Sequence, residues 1–301
     1  QTLGSLPDVI GNLVGRRIND NGRIVGTRGT LSAFGRQLQQ PTAWQFGGEG
    51  DVAAASALAS SLPESQPSGV LFRDINAAGV AVGMTMHPTY GNGRAAVWTA
   101  DGHMQMLPTL STYAPTGMPM DTDAEAVNRS GQVAGWGQML AANGLPVGDR
   151  AVRWGADGSV QNLGTLSTKA NGEGLSRATA INERGDVAGS FVQYAANGSQ
   201  LGTRAFVWDA ATQAMRSLGT LGAAGNGTAA AAVLDINDLG QAVGASDLWE
   251  LRGVLSNRGN RATFADTGGQ FVNLNTLTDP ASLARPGVNA TAVLKSASEI
   301  N

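Results

Sequence analysis

The sequence predicts an all-β protein assembled from repeated four-stranded antiparallel units, and three observations carry that expectation. Four short phrases recur in a fixed order along the chain, the phrases alternate as strands do, and turn chemistry separates them. The cleanest copy runs from Ala178 to Leu221. A unit of that size is one supersecondary element. It cannot bury its own apolar faces alone, so neighbouring copies must stack.

The first phrase is I/V-N-x-x-G, with starts near residues 18, 75, 127, 181 and 236: Ile18-Asn19…Gly22, Ile75-Asn76…Gly79, Val127-Asn128…Gly131, Ile181-Asn182…Gly185 and Ile236-Asn237…Gly240. Ile300-Asn301 reads as a sixth start, and the six asparagines stand 57, 52, 54, 55 and 64 residues apart. Asn bonds its own backbone two residues on, and Gly supplies the positive φ of a type I turn closed by a G1 bulge. The phrase therefore ends one strand, A, and opens the next, B. The second phrase, RIVG, VAVG, QVAG, DVAG or QAVG, is strand B itself. Its small residues suit a place where neighbouring sheets crowd together. The third phrase, R-A-x-x-W, stands at Arg94–Trp98, Arg150–Trp154 and Arg204–Trp208, with looser versions at Thr42–Phe46 and Arg261–Ala265. Both alternating sets of this strand C are apolar, which predicts cover on both faces. The fourth phrase, L-G-T-L, closes strand D at Leu163–Leu166 and Leu218–Leu221, with variants at Leu3–Leu6, Leu107–Leu110 and Leu274–Leu277. In the first interval, Ala57–Pro63 (ALASSLP) echoes Thr2–Pro7 (TLGSLP) as a decayed copy.

Sheets of four short strands, covered on both faces and repeated about every fifty residues, point to a β-propeller. The expectation is five full blades plus a partial sixth, formed by residues 1–301 as a single domain. A β-solenoid or an open stack of sheets is the rival arrangement. The chain opens on the fourth phrase and closes on the first. That order suits a ring whose N-terminal strand completes the last blade, and a chain cut from a longer one. The B–C loops are expected on one rim: Met84–Gly93, Gln138–Asp149, Gln193–Thr203 and Ser246–Asn260. The D–A loops, Ser111–Ala126, Ser167–Gly174 and Gly222–Ala232, are expected on the opposite rim.

Composition narrows the function classes. Charged residues make up only 14% of the chain against 42% hydrophobic, and the 42 glycines suit a loop-rich β protein with an uncharged polar surface. A net charge of −3 without a basic stripe argues against nucleic acid as a partner. With no Cys there is neither a disulfide framework nor thiolate chemistry. No apolar run is long enough for a membrane span, and residue 1 does not begin a charged-then-apolar signal. A mature exported chain has this form, and so does a cytoplasmic one.

At the four phrases the chain resembles the HAF-repeat family of extracellular bacterial proteins. INDNGRIVG, VNRSGQVAG, RAFVWDAATQAMRSLGTLG and INDLGQAVG look like successive pieces of its repeat, over nearly the whole length. The His that helps to name the family is Arg here (Arg94, Arg150, Arg204, Arg261) or Thr (Thr42). The resemblance implies export or display at the cell surface, and it brings no catalytic role.

Loops between rigid strands are where function is expected. Tyr90, Tyr113 and Trp249 lie outside the repeated Trp position and would offer stacking faces to a sugar, with His87 beside them as a ligand or general base. Against this stands the plain reading of His87 and His103 as exposed loop histidines. For Trp136 the plain reading is core packing. Asp121, Asp123 and Glu125 alternate, so an extended segment would aim them to one side, as an oxygen-ligand Ca²⁺ site requires. The other reading is a solvated acidic turn, and no further cofactor is expected. The repeated Arg of strand C either lines an opening as a ring of cations or bonds carbonyls and acids of a neighbouring copy. No GxSxG, HExxH, P-loop or CxxC motif is present. The expected function is an exported, non-catalytic binding or structural module with a glycan or surface protein as partner. The alternative is a carbohydrate-active enzyme, a glycoside hydrolase or polysaccharide lyase, whose scattered acids no local motif would reveal.

Overall fold

The computed structural model describes residues 13–31, 37–46, 52–58, 69–87, 89–114, 116–252, 254–276, 297 and 300. Among these, every regular element except one 3-10 turn, Leu274–Thr276, is a β-strand. Five four-stranded sheets follow one another, each with its strands in chain order. The first holds β1 (Leu13–Ile18), β2 (Arg23–Leu31), β3 (Gln37–Phe46) and β4 (Val52–Ala57). The second holds β5 (Leu71–Ile75), β6 (Ala81–Met86), β7 (Gly93–Trp98) and β8 (Met104–Met106). A short ribbon of β9 (Thr112–Tyr113) and β10 (Met118–Pro119) precedes the third, which holds β11 (Thr122–Val127), β12 (Val133–Leu140), β13 (Pro146–Trp154) and β14 (Val160–Gly164). The fourth is β15 (Ser176–Ile181), β16 (Val187–Tyr194), β17 (Gln200–Asp209) and β18 (Ala214–Gly219). The fifth is β19 (Ala231–Ile236), β20 (Ala242–Arg252), β21 (Val254–Ala265) and β22 (Val272–Asn273). Neighbouring strands run antiparallel, as the A–B–C–D reading requires. The chain divides into two compact units, Gln1–Leu140 with Arg153–Gln161 and Ala141–Val152 with Asn162–Asn301.

The A–B turns have the predicted geometry. In each the Asn N–H donates to the carbonyl four residues on, and the Gly N–H donates back to the Asn carbonyl, as at Asn76, Val80 and Gly79. Gly22, Gly79, Gly131, Gly185 and Gly240 have φ between 72 and 82°. The Asn side chain does more than close its own turn. Its Oδ1 accepts the N–H of Arg23, Val80, Gln132, Asp186 or Gln241. In the first unit, the Nδ2 of Asn19 donates to the Asn76 carbonyl, and that of Asn76 to the Asn128 carbonyl, each at 2.9 Å. In the second, Asn182 donates to the Asn237 carbonyl at 2.9 Å. One side chain therefore fixes a turn and registers the next copy upon it. The turn glycine is open to test. Gly185→Val should lose about 1–2 kcal/mol from the left-handed backbone alone. The control is Gly225→Val, at an exposed site without positive φ and with nothing within 4 Å. Gly198 would not serve, because its turn is also left-handed at φ 81°. Equal urea midpoints for the two variants would sink the hairpin argument.

The glycine of strand B has a different cause, and it lies inside the sheet rather than between sheets. Strand A carries a bulge in every copy, at Gly15/Arg17, Phe72/Asp74, Ala124/Ala126, Ala178/Ala180 and Val233/Asp235. Opposite it stand Gly26, Gly83, Gly135, Gly189 and Gly244. A Cβ there would overlap the carbonyl oxygen of Val14, Leu71, Asp123, Arg177 or Ala232.

Trp98, Trp154 and Trp208 are buried, at 0, 0 and 2% exposure. In the first sheet the equivalent residue is Trp44 and not Phe46. Trp44 pairs with Ile24 as Trp98 pairs with Ala81 and Trp208 with Val187. The third phrase there is Gln40–Trp44, two residues earlier than the spacing predicts. Leu58 confirms the shift, since its N–H reaches the Pro41 carbonyl at 2.9 Å just as that of Leu107 reaches Ala95 at 2.8 Å. Leu58 thus opens the decayed fourth phrase, while Ala59–Pro63, Leu3–Leu6, Leu277 and Asn301 lie outside the described residues. The sixth start has a partial anchor. The N–H of Ile300 donates to Asp235 Oδ2 at 2.9 Å, as that of Val127 does to Asp74 Oδ2 at 2.9 Å. Around the tryptophans the core is made of small residues, such as Ala43, Ala81 and Ala96 in the first unit, which lets sheets approach closely.

One expectation about the loops is overturned. Four alternating strands put the A–B and C–D turns at one end and the B–C and D–A connections together at the other. Tyr90 Oη, from a B–C turn, donates to the Thr116 carbonyl in the following D–A connection. In the second unit Arg204 Nη2 donates to the Gly227 carbonyl at 2.9 Å in the same manner. The longer B–C connections of the third and fourth sheets are also mostly strand, with short turns at 141–145 and 195–199.

Candidate binding surface

The surface begins in the second sheet, where a tight turn joins β6 to β7. The His87 N–H donates to the Asn92 carbonyl and the Gly91 N–H to the His87 carbonyl, both at 2.8 Å. Three contacts tie this turn to the β9–β10 ribbon. Tyr90 Oη donates to the Thr116 carbonyl at 3.1 Å, Asn92 Nδ2 to the Pro119 carbonyl at 2.7 Å, and the Gly93 N–H to Asp121 Oδ1 at 3.0 Å. The ribbon closes on Tyr113, whose carbonyl accepts the N–H groups of Thr116 and Gly117. Tyr90 and Tyr113, distant in sequence, so meet at one joint, each about two-fifths exposed (40 and 39%).

His87 completes the joint. Its ring centroid lies 4.9 Å from that of Tyr90, tilted by 39°. Its Nδ1 accepts the N–H of Thr89 at 3.2 Å and of Tyr90 at 3.4 Å. Partial burial, and then the Arg94 cation, hold its pKa below the ordinary 6.5. The ring is thus neutral at pH 7, and with Nδ1 an acceptor the proton sits on Nε2 as a donor. The surface presents two phenol faces and one imidazole N–H, with no formal charge among the three.

Other sequence candidates lie elsewhere. Trp249 is not in an exposed loop but in β20, half-buried. Its N–H faces the Leu221 carbonyl at 3.4 Å, and Leu248 bridges Leu221, so the D–A segment covers it. Tyr194, the remaining tyrosine of the chain, is buried at 6% exposure, with Lys169 Nζ 5.3 Å from its ring centroid. Trp136 is half-buried in β12. His103 stands in the turn between β7 and β8, at the other end of the sheet from His87, 3.6 Å from Asp101.

The three carboxylates do not form a loop. Asp123 and Glu125 lie on β11, and Asp123 is only 1% exposed. Arg73 on β5 places Nη2 2.6 Å from Asp123 and Nε 3.5 Å from Glu125, while Asp121 accepts the Gly93 N–H. Among the described residues no group of three or more His, Cys, Asp or Glu is placed to hold a metal ion. Millimolar Ca²⁺ is accordingly expected to leave the thermal midpoint unchanged. A rise that follows the Ca²⁺ concentration would restore the triad as a site. The repeated arginines are turned onto carbonyls. Arg94 Nη2 donates to Leu107 at 2.7 Å, Arg150 Nη1 to Gly174 at 2.5 Å and its Nη2 to Gly172 at 3.1 Å. Arg150 thus clasps the connection leading into the next copy, as the second of the two expected roles requires, whereas Arg94 bonds a carbonyl of its own copy.

Asn92 and Thr116 were not legible as site residues. Their part comes from two hairpins meeting, which no local motif records. No protein-family model matches the sequence, and no curated protein matches it significantly.

Proposed function

We propose that this chain is an exported or cell-surface repeat protein whose sheets are blades of a β-propeller, five complete and a sixth begun at Ile300. It acts as a non-catalytic module that binds glycans through the end where the B–C and D–A connections lie. The observation that carries the reading is the joint of Tyr90, Tyr113 and His87: two partly exposed phenol faces and a neutral N–H donor, held by hairpin contacts, with the neighbouring Asp121 carboxylate engaged by the Gly93 N–H. Apolar sugar faces stack on such rings while hydroxyls take the donor. The resemblance of the four phrases to HAF repeats supports export. Single contacts of this kind are weak, so useful affinity would come from several copies on one surface.

A glycan array paired with a depolymerisation assay on bacterial and plant polysaccharides tests the proposal. Binding without release of reducing or unsaturated ends is expected. Tyr90→Ala and Tyr113→Ala should each weaken it about fivefold, the equivalent of about 1 kcal/mol per ring. Turnover that vanishes in His87→Gln would replace the module by an enzyme. Neither binding nor turnover would leave a structural role.

A further inference from the structure

We infer that the second unit carries a separate pocket for a single neutral sugar ring, between β13, β15, β16 and β17. A cavity of about 180 Å³ opens there, lined by Asp149, Ser176, Arg177, Ser190, Val192 and Thr203, with Leu175 and Phe191 completing its wall. Ligand pockets for larger molecules run from about 300 Å³ upward, so this one has room for one ring rather than an oligosaccharide.

The lining selects the chemistry. Asp149 is only 8% exposed, yet both of its bonds to protein side chains go to one oxygen. Arg177 Nε and Nη2 reach Asp149 Oδ2 at 2.9 and 2.5 Å. The other oxygen of this carboxylate has no donor among the described residues and remains open to solvent, so it is free to accept from a ligand hydroxyl. The hydroxyls of Ser190 and Thr203, on paired strands at the same cavity, also have no partner among the described residues. Ser176 is already committed, its Oγ donating to the Gly164 carbonyl and accepting the Ala151 N–H. One carboxylate oxygen and two rotatable hydroxyls match a ligand rich in vicinal hydroxyls, while Leu175, Phe191 and Val192 offer an apolar wall to the face of its ring. The two formal charges of the lining cancel in the Arg177–Asp149 pair, which leaves nothing to draw a uronate and one acceptor to repel it. A neutral pyranose is therefore the ligand class. The pocket sits at the end of its strands where B–C and D–A connections meet, and it does not depend on the tyrosine joint of the first unit.

The test uses the whole chain and the methyl glycosides of glucose, galactose, mannose and N-acetylglucosamine, with methyl glucuronide as the charged control. Saturation-transfer NMR should detect at least one neutral glycoside and not the glucuronide. Amide shifts should move at Leu175–Arg177 and Ser190–Val192. Thr203→Trp fills the cavity from its exposed edge and should abolish the signal. Ser190→Ala, which alters no packing, should weaken it by about three- to tenfold, the worth of one hydrogen bond. Both should leave the tyrosine-dependent array binding unchanged. No binding by any neutral glycoside overturns the inference, as does tighter binding of the glucuronide. Binding that survives Thr203→Trp and Ser190→Ala but is lost in Tyr90→Ala would assign the sugar to the first unit and likewise overturn it.

Discussion

Trp154→Ala is expected to lower the unfolding free energy by about 3–5 kcal/mol, the range for removing a fully buried aromatic. Two losses combine. The indole is 0% exposed, so its removal leaves a cavity. Its Nε1 also donates to the Pro108 carbonyl at 2.8 Å, which ties the third strand of one copy to the preceding copy's fourth phrase. Trp154→Phe separates the two, since it restores most of the volume but leaves Pro108 without its donor, at about 1–2 kcal/mol. Domains of ordinary stability hold about 5–15 kcal/mol, so the alanine variant should be marginal at 37 °C. Urea unfolding followed by tryptophan fluorescence reads both variants. A loss below about 1 kcal/mol for Trp154→Ala would mean that the repeated spacing of this tryptophan has no packing role.

The second large effect is expected at Gly189. An added Cβ would overlap the Arg177 carbonyl oxygen and would lie 2.7 Å from Phe206 Cζ and 2.8 Å from Ala178 Cα. Two of these three are backbone atoms of the paired strand, so relief requires opening the β15–β16 ladder at its bulge. Gly189→Ala should cost on the order of 3 kcal/mol, at the upper end for overpacking. Gly225→Ala should stay within about 0.5 kcal/mol, as an open surface site does. Comparable midpoints for the two would show that the bulge carbonyl can move aside, and the steric account of this glycine would fail.

The repeated units were readable because Asn-x-x-Gly has a backbone requirement that other residues do not meet. The strand-B glycine was readable only as a recurrence. Its cause is a bulge on the partner strand, and residues as different as Gly15, Phe72 and Ala178 flank that bulge, so no local signature marks it. The offset at Trp44 has a similar origin. Thr42–Phe46 offers an aromatic at two alternate positions, and only pairing opposite Ile24 decides between them. The placement of loops at the two ends follows from counting strand directions, and an even number of strands returns each D–A connection to the B–C end. The sequence named Tyr90, Tyr113 and His87 as candidates but could not bring them together, because β7 and β8 separate the tyrosines in the chain and the ribbon that carries Tyr113 folds back onto the β6–β7 turn. It misjudged Trp249, Asp123 and Glu125 because these lie in strands, where alternation and cross-strand partners settle exposure.

The forward reach of the asparagines bears on how this architecture tolerates change. Within each unit, registration between copies is set at the A–B end, by a side chain that bonds its own turn and the next. Residues inserted in a B–C or D–A connection lie at the far end and do not enter that measurement. The intervals of 57, 52 and 55 residues across these bonds therefore give the same 2.9 Å contact. Sequence length can drift freely at one end while the other keeps constant spacing, so foreign loops grafted between strands B and C should leave the host's alignment intact.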